Sequence, residues 1–415
     1  MTEDLYTEKA TGTIFSQDLF QVGGHVRAEP ELITRAARML LEARRPMIVP
    51  GLEVTKAKAQ RDLIHLAELL AIPVAQGLSA FADFPNQHPL SLGEYSKFMG
   101  YNRDCDLFVV IGTQVPDADH YIFTGPPPAN AKILHISLEP EVLAQWHETD
   151  LAILSDVGAA LRDLAEAVAS LATAKRLKAI REERYDTITG AIRADREKRL
   201  QRAQGQWDRA PITYARLSKE LNETLDRDAI VVSEALVGVA QWFDYGPDSK
   251  MQIGPQPGEV LGWATGVALG AKLAQPDRQV VALSGDGAFM FQNALWSLSR
   301  YDAPVLVVVF NNRAYNNNRA FGWLKGGAQA EMKKDLLTYL GDPDVNFATY
   351  AKAFAVDGEV VATPAELKPA ILRGAQALKE GRPYLLDVSA ERWGKGGELT
   401  WHPDISIAKM RKKSV

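Results

Sequence analysis

One cysteine, Cys105, stands in 415 residues, which excludes a disulfide scaffold and a cysteine-built zinc site. Basic residues are not in excess: 47 Lys and Arg face 52 Asp and Glu, for a net charge of −5. A nucleic-acid binder needs a basic face, so that class is set aside. Apolar runs such as Ala303 to Phe310 fall far short of the roughly 20 residues that span a bilayer. The N-terminus, Met1-Thr2-Glu3-Asp4, is acidic and polar and does not read as a secretory signal. Seven scattered histidines never pair at ligand spacing, which argues against a histidine-built metal site. What is left is 46% apolar and 24% charged, the balance of a globular cytoplasmic protein, and its length predicts two to three domains. An enzyme acting on a small molecule, with neither nucleic acid nor membrane as partner, is the expected class.

Two stretches alternate strand and helix patterns. In residues 29–172, strand-like runs at Pro46–Pro50, Pro73–Gln76, Leu107–Gly112 and Lys132–Ile136 are separated by helix-period segments such as Ala57–Leu70. Val157–Leu171 reads as a closing helix with Asp156 as N-cap. Residues 173–210 are charged and helix-forming, which predicts an exposed linker helix. A second pattern covers residues 211–393, with strands at Ala229–Val232, Gln279–Leu283, Pro304–Phe310 and Tyr384–Val388. Residues 1–28 form an extension and residues 394–415 a Gly-rich, then basic, tail. Short unbroken apolar strands between helices predict an α/β fold: two doubly wound parallel-sheet domains.

The chemistry concentrates at two strand ends. Val280–Leu283 runs into Ser284-Gly285-Asp286-Gly287-Ala288, and Val305–Phe310 runs into Asn311-Asn312-Arg313-Ala314-Tyr315. Asp286 and Asn312 are 26 positions apart, one crossover helix and one strand. That spacing places both side chains at the carboxyl edge of neighbouring parallel strands, where open α/β sheets bind ligands. Mg²⁺ takes oxygen ligands octahedrally, one or two from protein and the rest from phosphate and water. Asp286 offers a carboxylate, Asn312 an amide oxygen and Ala314 a main-chain carbonyl. Gly285 and Gly287 allow close approach of phosphates, and the N–H groups of Gly287 and Ala288 fall at a helix start, which favours anions. A plain strand-to-helix turn explains Gly-Asp-Gly alone, but not Asn-Asn at the matching distance.

Gly285-Asp286-Gly287 followed by Asn311-Asn312 resembles the fingerprint of thiamine diphosphate enzymes of the acetolactate synthase, benzaldehyde lyase and oxalyl-CoA decarboxylase type. The resemblance implies thiamine diphosphate and Mg²⁺ as cofactors, with Asp286, Asn312 and the Ala314 carbonyl on the metal. It extends to Glu259-Val260-Leu261-Gly262, where the Glu259 carbonyl would accept the cofactor's amino group and Leu261 would prop it into a bent shape. Ser233-Glu234-Ala235 falls where that family builds part of the diphosphate wall. Tyr315, with Asn316, Asn317, Asn318 and Trp323, follows the metal turn and would line the cofactor and substrate entrance; a polar loop is the plainer alternative. His402 and Arg411-Lys412-Lys413 lie in the tail, read as surface. Pro50-Gly51, Leu69–Val74, Asp106–Gly112 and His135-Ile136-Ser137 resemble the family's central domain. No Gly-x-Gly-x-x-Gly stands there, so no nucleotide is assigned to it.

Such enzymes usually carry a third, pyrimidine-binding domain, and the 28 leading residues here are too few for one. That domain holds the glutamate that activates the cofactor, and a positioned proton-transfer group is worth about 10²–10⁴ in rate. No catalytic residue is therefore expected in this chain. The expectation is the large subunit of a split lyase, carboligase or decarboxylase acting on a 2-oxo acid, 2-hydroxyacyl-CoA or α-hydroxyketone. A small subunit would supply the pyrimidine domain, in an α2β2 or larger assembly. A fragment of a longer protein is the rival reading. A non-catalytic Mg-diphosphate-binding regulatory subunit, or an acetolactate synthase-like carboligase, are the functional alternatives.

Overall fold

The computed structural model describes residues 7, 9, 11–20, 23–77, 79–96, 99–117, 125–234, 238–255, 260–292, 294–335, 337–341, 343–397 and 400–401. Two six-stranded sheets organise them, and every neighbouring pair of strands is parallel. The first contains β1 (Pro46–Pro50), β2 (Val74–Gln76), β3 (Ser91–Glu94), β4 (Leu107–Ile111), β5 (Lys132–Ser137) and β6 (Leu151–Leu154), in the order 3-2-1-4-5-6. Helices α1 (Pro30–Glu42), α2 (Leu52–Lys56), α3 (Gln60–Leu70) and α4 (Val157–Leu171) flank it. Every residue of β1 and β4 is buried, as a sheet covered on both faces requires. The Asp156 carboxylate accepts from Ala159 N and caps α4 as its position predicts.

The helix expected over Ala57–Leu70 begins only at Gln60, because Ala57–Lys58 turn after α2 and Lys58 takes φ 55°. Strand β3, Ser-Leu-Gly-Glu, carries too few apolar residues to announce itself, and β6, though wholly apolar, is only four residues long. Strand order reverses at β1/β4, where such sheets leave a crevice. The ends of these two strands pack closely there: a Cβ on Gly51 would fall 2.3 Å from Thr113 Cβ and 2.9 Å from the Gly112 carbonyl oxygen.

Helix α5 (Ala174–Gln204) is charged along its length, yet it is docked rather than simply exposed. Ile188 and Ile192 pack on the first core. The buried Arg184 guanidinium donates to the carbonyls of Leu70 and Ala43, at the C-terminal ends of α3 and α1. Arg196 donates to the carbonyls of Asn86, Gln87, His88 and Ser91. Sequence periodicity misses such docking, since it rests on two arginines and a few apolar contacts.

The second sheet contains β7 (Ile230–Ser233), β8 (Met251–Ile253), β9 (Val280–Gly285), β10 (Val305–Asn311), β12 (Asp357–Val361) and β13 (Tyr384–Ser389), in the order 12-13-10-9-7-8. A two-stranded piece, β11 (Lys334–Asp335) with β14 (Thr400–Trp401), lies apart. Helices α6 (Tyr214–Thr224) and α13 (Pro364–Lys379) cover one face around Leu217, Leu221 and Ile371. Helices α7 (Ala264–Ala274), α8 (Asp286–Phe289), α9 (Leu295–Arg300) and α12 (Phe347–Lys352) cover the other around Ala268, Phe289, Leu298 and Phe347. Helices α10 (Asn316–Lys325) and α11 (Ala328–Met332) follow β10 in the chain. The domain closes on itself: Ile212 N donates to Ser389 O, and Glu391 N to Ile212 O. The two sheets meet through Asn86, whose amide takes Tyr245 N and donates to the carbonyls of Ala240 and Phe243. Among the described residues no helix is long and apolar enough to cross a membrane.

Candidate cofactor site

Asp286 and Asn312 stand where two neighbouring parallel strands end. Phe310 is in register with Gly285, so Asp286 opens the turn after β9 and Asn312 the turn after β10. Asp286 is 2% exposed and Asn312 6%. Asp286 Oδ1 accepts from Gly287 N (2.8 Å) and Oδ2 from Ala314 N (3.2 Å). Asn312 Oδ1 accepts from the same Ala314 N (3.0 Å). One backbone N–H thus draws the carboxylate and the amide oxygen together. The Asn312 amide is turned by its other end, Nδ2, which donates to the buried Tyr214 hydroxyl at 2.8 Å.

Burial raises the Asp286 carboxyl to about 7, against the pull of the N–H groups of Gly287, Ala314 and Arg313 and of the Arg392 charge. A carboxylate so short of compensating charge suits a cation. Among the described residues no three His, Cys, Asp or Glu side chains converge as a metal cage. One carboxylate beside neutral oxygens is the donor set of a Mg²⁺ that arrives with phosphate oxygens of its own. Asp286, Asn312 and the main chain of Ala314 therefore fit the metal expected of them.

The loop holding this pair is tied from several sides. Arg313 sits at φ 55°. Tyr315 N donates to Thr338 O, and Leu340 N to Arg313 O. The half-buried Tyr315 ring lies over Gly287, where a Cβ would fall 2.5 Å from its ring carbons. Two arginines take part that motif spacing does not reveal. Arg392 Nε donates to Asn312 O at 2.9 Å, and the fully buried Arg319 donates to Asn316 Oδ1 and to the carbonyls of Trp393 and Lys395. The segment after Tyr315, open between entrance and loop in sequence, is helix α10, and its Asn316 and Arg319 face the tail. A cavity of about 550 Å³ lies beside the turn, lined in part by Arg209, Asn312, Arg313, Arg392 and Trp393.

Three features differ from sequence expectation. The helix starting at Gly287 and Ala288 is a single turn, Asp286–Phe289, and helix resumes only at Leu295. The Gly287 N–H is engaged by Asp286 itself, so an anion would meet that turn already partly satisfied. Leu261 is 47% exposed, on a loop whose next residue, Gly262, has φ 94°. Glu259, Ala235 to Val237, His402 and Arg411-Lys412-Lys413 lie outside the described residues.

A doubly wound α/β protein with a buried carboxylate–amide pair at adjoining strand ends is the class this geometry defines. Residues 33–164 match the family described as "Thiamine pyrophosphate enzyme, central domain", and residues 238–388 match "Thiamine pyrophosphate enzyme, C-terminal TPP binding domain". The chain belongs to the thiamine pyrophosphate enzymes, and Asp286 and Asn312 lie within its TPP-binding domain. It is 29% identical to the acetolactate synthase large subunit IlvG of Mycobacterium tuberculosis over 86% of this chain and 61% of that one. It is 26% identical to benzoylformate decarboxylase of Pseudomonas aeruginosa over 89% of this chain and 66% of that one. Its fold matches a 4-hydroxybenzoylformate decarboxylase of Rhodococcus jostii with a TM-score of 0.68 at 23% identity, covering 89% of this chain and 65% of that chain. The chain spans about three-fifths of the length of the curated relatives it matches first.

Proposed function

We propose that this chain is the diphosphate-binding subunit of a thiamine diphosphate-dependent lyase, carboligase or decarboxylase, and that Mg²⁺ is held by Asp286, Asn312 and the Ala314 carbonyl. The observation that carries the reading is the pair of oxygens, Asp286 Oδ2 and Asn312 Oδ1, converging on one backbone N–H. Thiamine diphosphate, when bound, supplies a nucleophilic ring carbon and an electron sink for cleaving or forming a bond next to a carbonyl. The chain's own residues anchor and orient. Tyr214 fixes the Asn312 amide, Arg392 and Arg319 hold the turn against the tail, and Leu261 presents an apolar surface to the ring. The arginines around the adjoining cavity, Arg209, Arg313 and Arg392, outnumber its one carboxylate, Glu391. That balance favours a substrate carrying a carboxylate, hence a 2-oxo acid over an α-hydroxyketone.

A second polypeptide would supply the activating glutamate. Supporting this, α7 is apolar almost all round, with Lys272 its one charge, and such a helix belongs in an interior. Yet Val267 and Leu273 are exposed on it, beside exposed Met290, Phe291 and Trp296. An apolar surface next to Leu261 suits a partner that completes the site. The test is turnover of a 2-oxo acid panel by the chain alone and with candidate partner proteins, alongside Asp286→Ala. The expected result is negligible turnover alone, recovery with the partner, and loss in the variant. Full turnover by the chain alone defeats the split-enzyme reading. Undiminished turnover of the reconstituted Asp286→Ala complex points to a non-catalytic scaffold.

A further inference from the structure

Strand order in the second sheet reverses between β7 and β9, so the crevice of this domain opens between Ser233-Glu234 and Gly285-Asp286. Glu234 lies at its floor, 1% exposed. Its main chain is fixed by a bond from Glu234 N to Leu283 O. Its side chain collects four donors from two separate segments. Oε1 accepts from Gly262 N at 2.5 Å and Trp263 N at 3.4 Å, and Oε2 from Ala264 N at 3.3 Å. On the other side, the Ser284 hydroxyl lies 3.2 Å from Oε2, sharing its proton with Gly285 O at 3.3 Å.

These two segments are the two halves of the proposed cofactor site. Helix α7 has no cap from its own N-cap residue, Trp263; Glu234, from a neighbouring strand, takes the N–H of its first residue, Ala264, together with those of Gly262 and Trp263 just before it. Leu261 precedes that turn directly. The opposite wall of the loop is rigid as well, because a Cβ on Gly262 would meet the Phe291 carbonyl carbon at 2.9 Å. Ser284 stands two residues before Asp286. A carboxylate is acceptor-only and serves all four donors at once; a glutamine of the same size turns an N–H₂ toward N–H groups.

We infer that Glu234 is a positioning residue, which sets the span between the apolar prop at Leu261 and the metal ligand Asp286 and so matches the site to a cofactor gripped at both its ring and its diphosphate end. The inference rests on the cofactor reading above. It makes a specific demand: loss of Glu234 should spare the half-ligand and penalise the whole one.

The experiment is calorimetric titration of the full chain, in Mg²⁺, with inorganic pyrophosphate and separately with thiamine diphosphate. Wild type, Glu234→Gln and Ser284→Ala are compared, with thermal melts as the control for folding. Glu234→Gln should bind pyrophosphate within about twofold of wild type and thiamine diphosphate about tenfold or more weakly, the scale of losing hydrogen bonds to a charged group. Ser284→Ala, which removes one donor and no helix cap, should shift the same ratio by about threefold, and it decides the matter if the glutamine variant does not fold. Equal losses for both probes, or none for either, overturn the inference by making Glu234 a fold residue or an idle one. A wild-type chain with no preference for thiamine diphosphate over pyrophosphate fails the cofactor reading itself, and the inference falls with it.

Discussion

Asp286 bears a cost in the absence of a cation. Its carboxyl is raised by burial from the ordinary carboxylate range to about 7, so the folded state holds a proton that the unfolded chain releases near pH 4. The stability this contributes is complete below about pH 4 and is lost as pH rises through about 7. Asp286→Asn removes the penalty. In metal-free buffer at pH 8 the variant should be more stable than wild type, by roughly 2–4 kcal/mol, and the gap should close toward pH 4. Urea unfolding at the two pH values measures it. The same variant should lose Mg²⁺-dependent uptake of thiamine diphosphate, read by calorimetry. Gly262 makes a second residue-scale prediction. Alanine there takes an unfavourable φ of 94° and drives its Cβ into the Phe291 backbone. Destabilisation of about 2–3 kcal/mol is expected in the same unfolding assay.

Among the elements, α5 shows how a charged helix is held without an apolar stripe. Arg184 satisfies carbonyls at the ends of α1 and α3, groups that a helix terminus leaves without partners. Arg184→Met keeps the bulk and leaves those carbonyls unmet, so a loss of about 2–3 kcal/mol is expected, again by urea unfolding. The contrast with α4 explains what was legible in the sequence. Val157–Leu171 is read to the residue because a capping Asp156 and an apolar period coincide. The buried β4, β9 and β10 were equally plain, being built on short unbroken apolar runs. α10 was not, since Asn316-Asn317-Asn318 reads as loop, and its helix is held by Arg319 bonds to a tail about 75 residues away. Asp286 and Asn312 were legible through spacing alone. Arg392 and Tyr214 were not, because each reaches the site from a part of the chain distant in sequence; Glu234 was marked only through the family resemblance, and its hold on the Gly262–Ala264 turn was not legible.

For the whole molecule, the exposed apolar face around α7 to α9 should matter to assembly and not to folding. Trp296 is 57% exposed, so Trp296→Glu should leave the chain's own stability within about 0.5 kcal/mol of wild type. Association with the proposed partner polypeptide should weaken, as sedimentation of the mixture would show. An unaltered complex would place the contact elsewhere.

The pairing of Ile212 with Ser389 and Glu391 also bears on how the protein is made. Tyr214, which orients Asn312, follows Ile212, while the segment that Ile212 joins, Ser389–Glu391, is synthesised long after it. Sheets of parallel strands depend on such distant contacts and fold slowly. A nascent chain can therefore complete its first sheet early, but its cofactor pocket stays unfinished until residue 391 has left the ribosome. Until then the apolar strand β10 waits without β13 on its outer side, and that interval is when chaperones have most to protect.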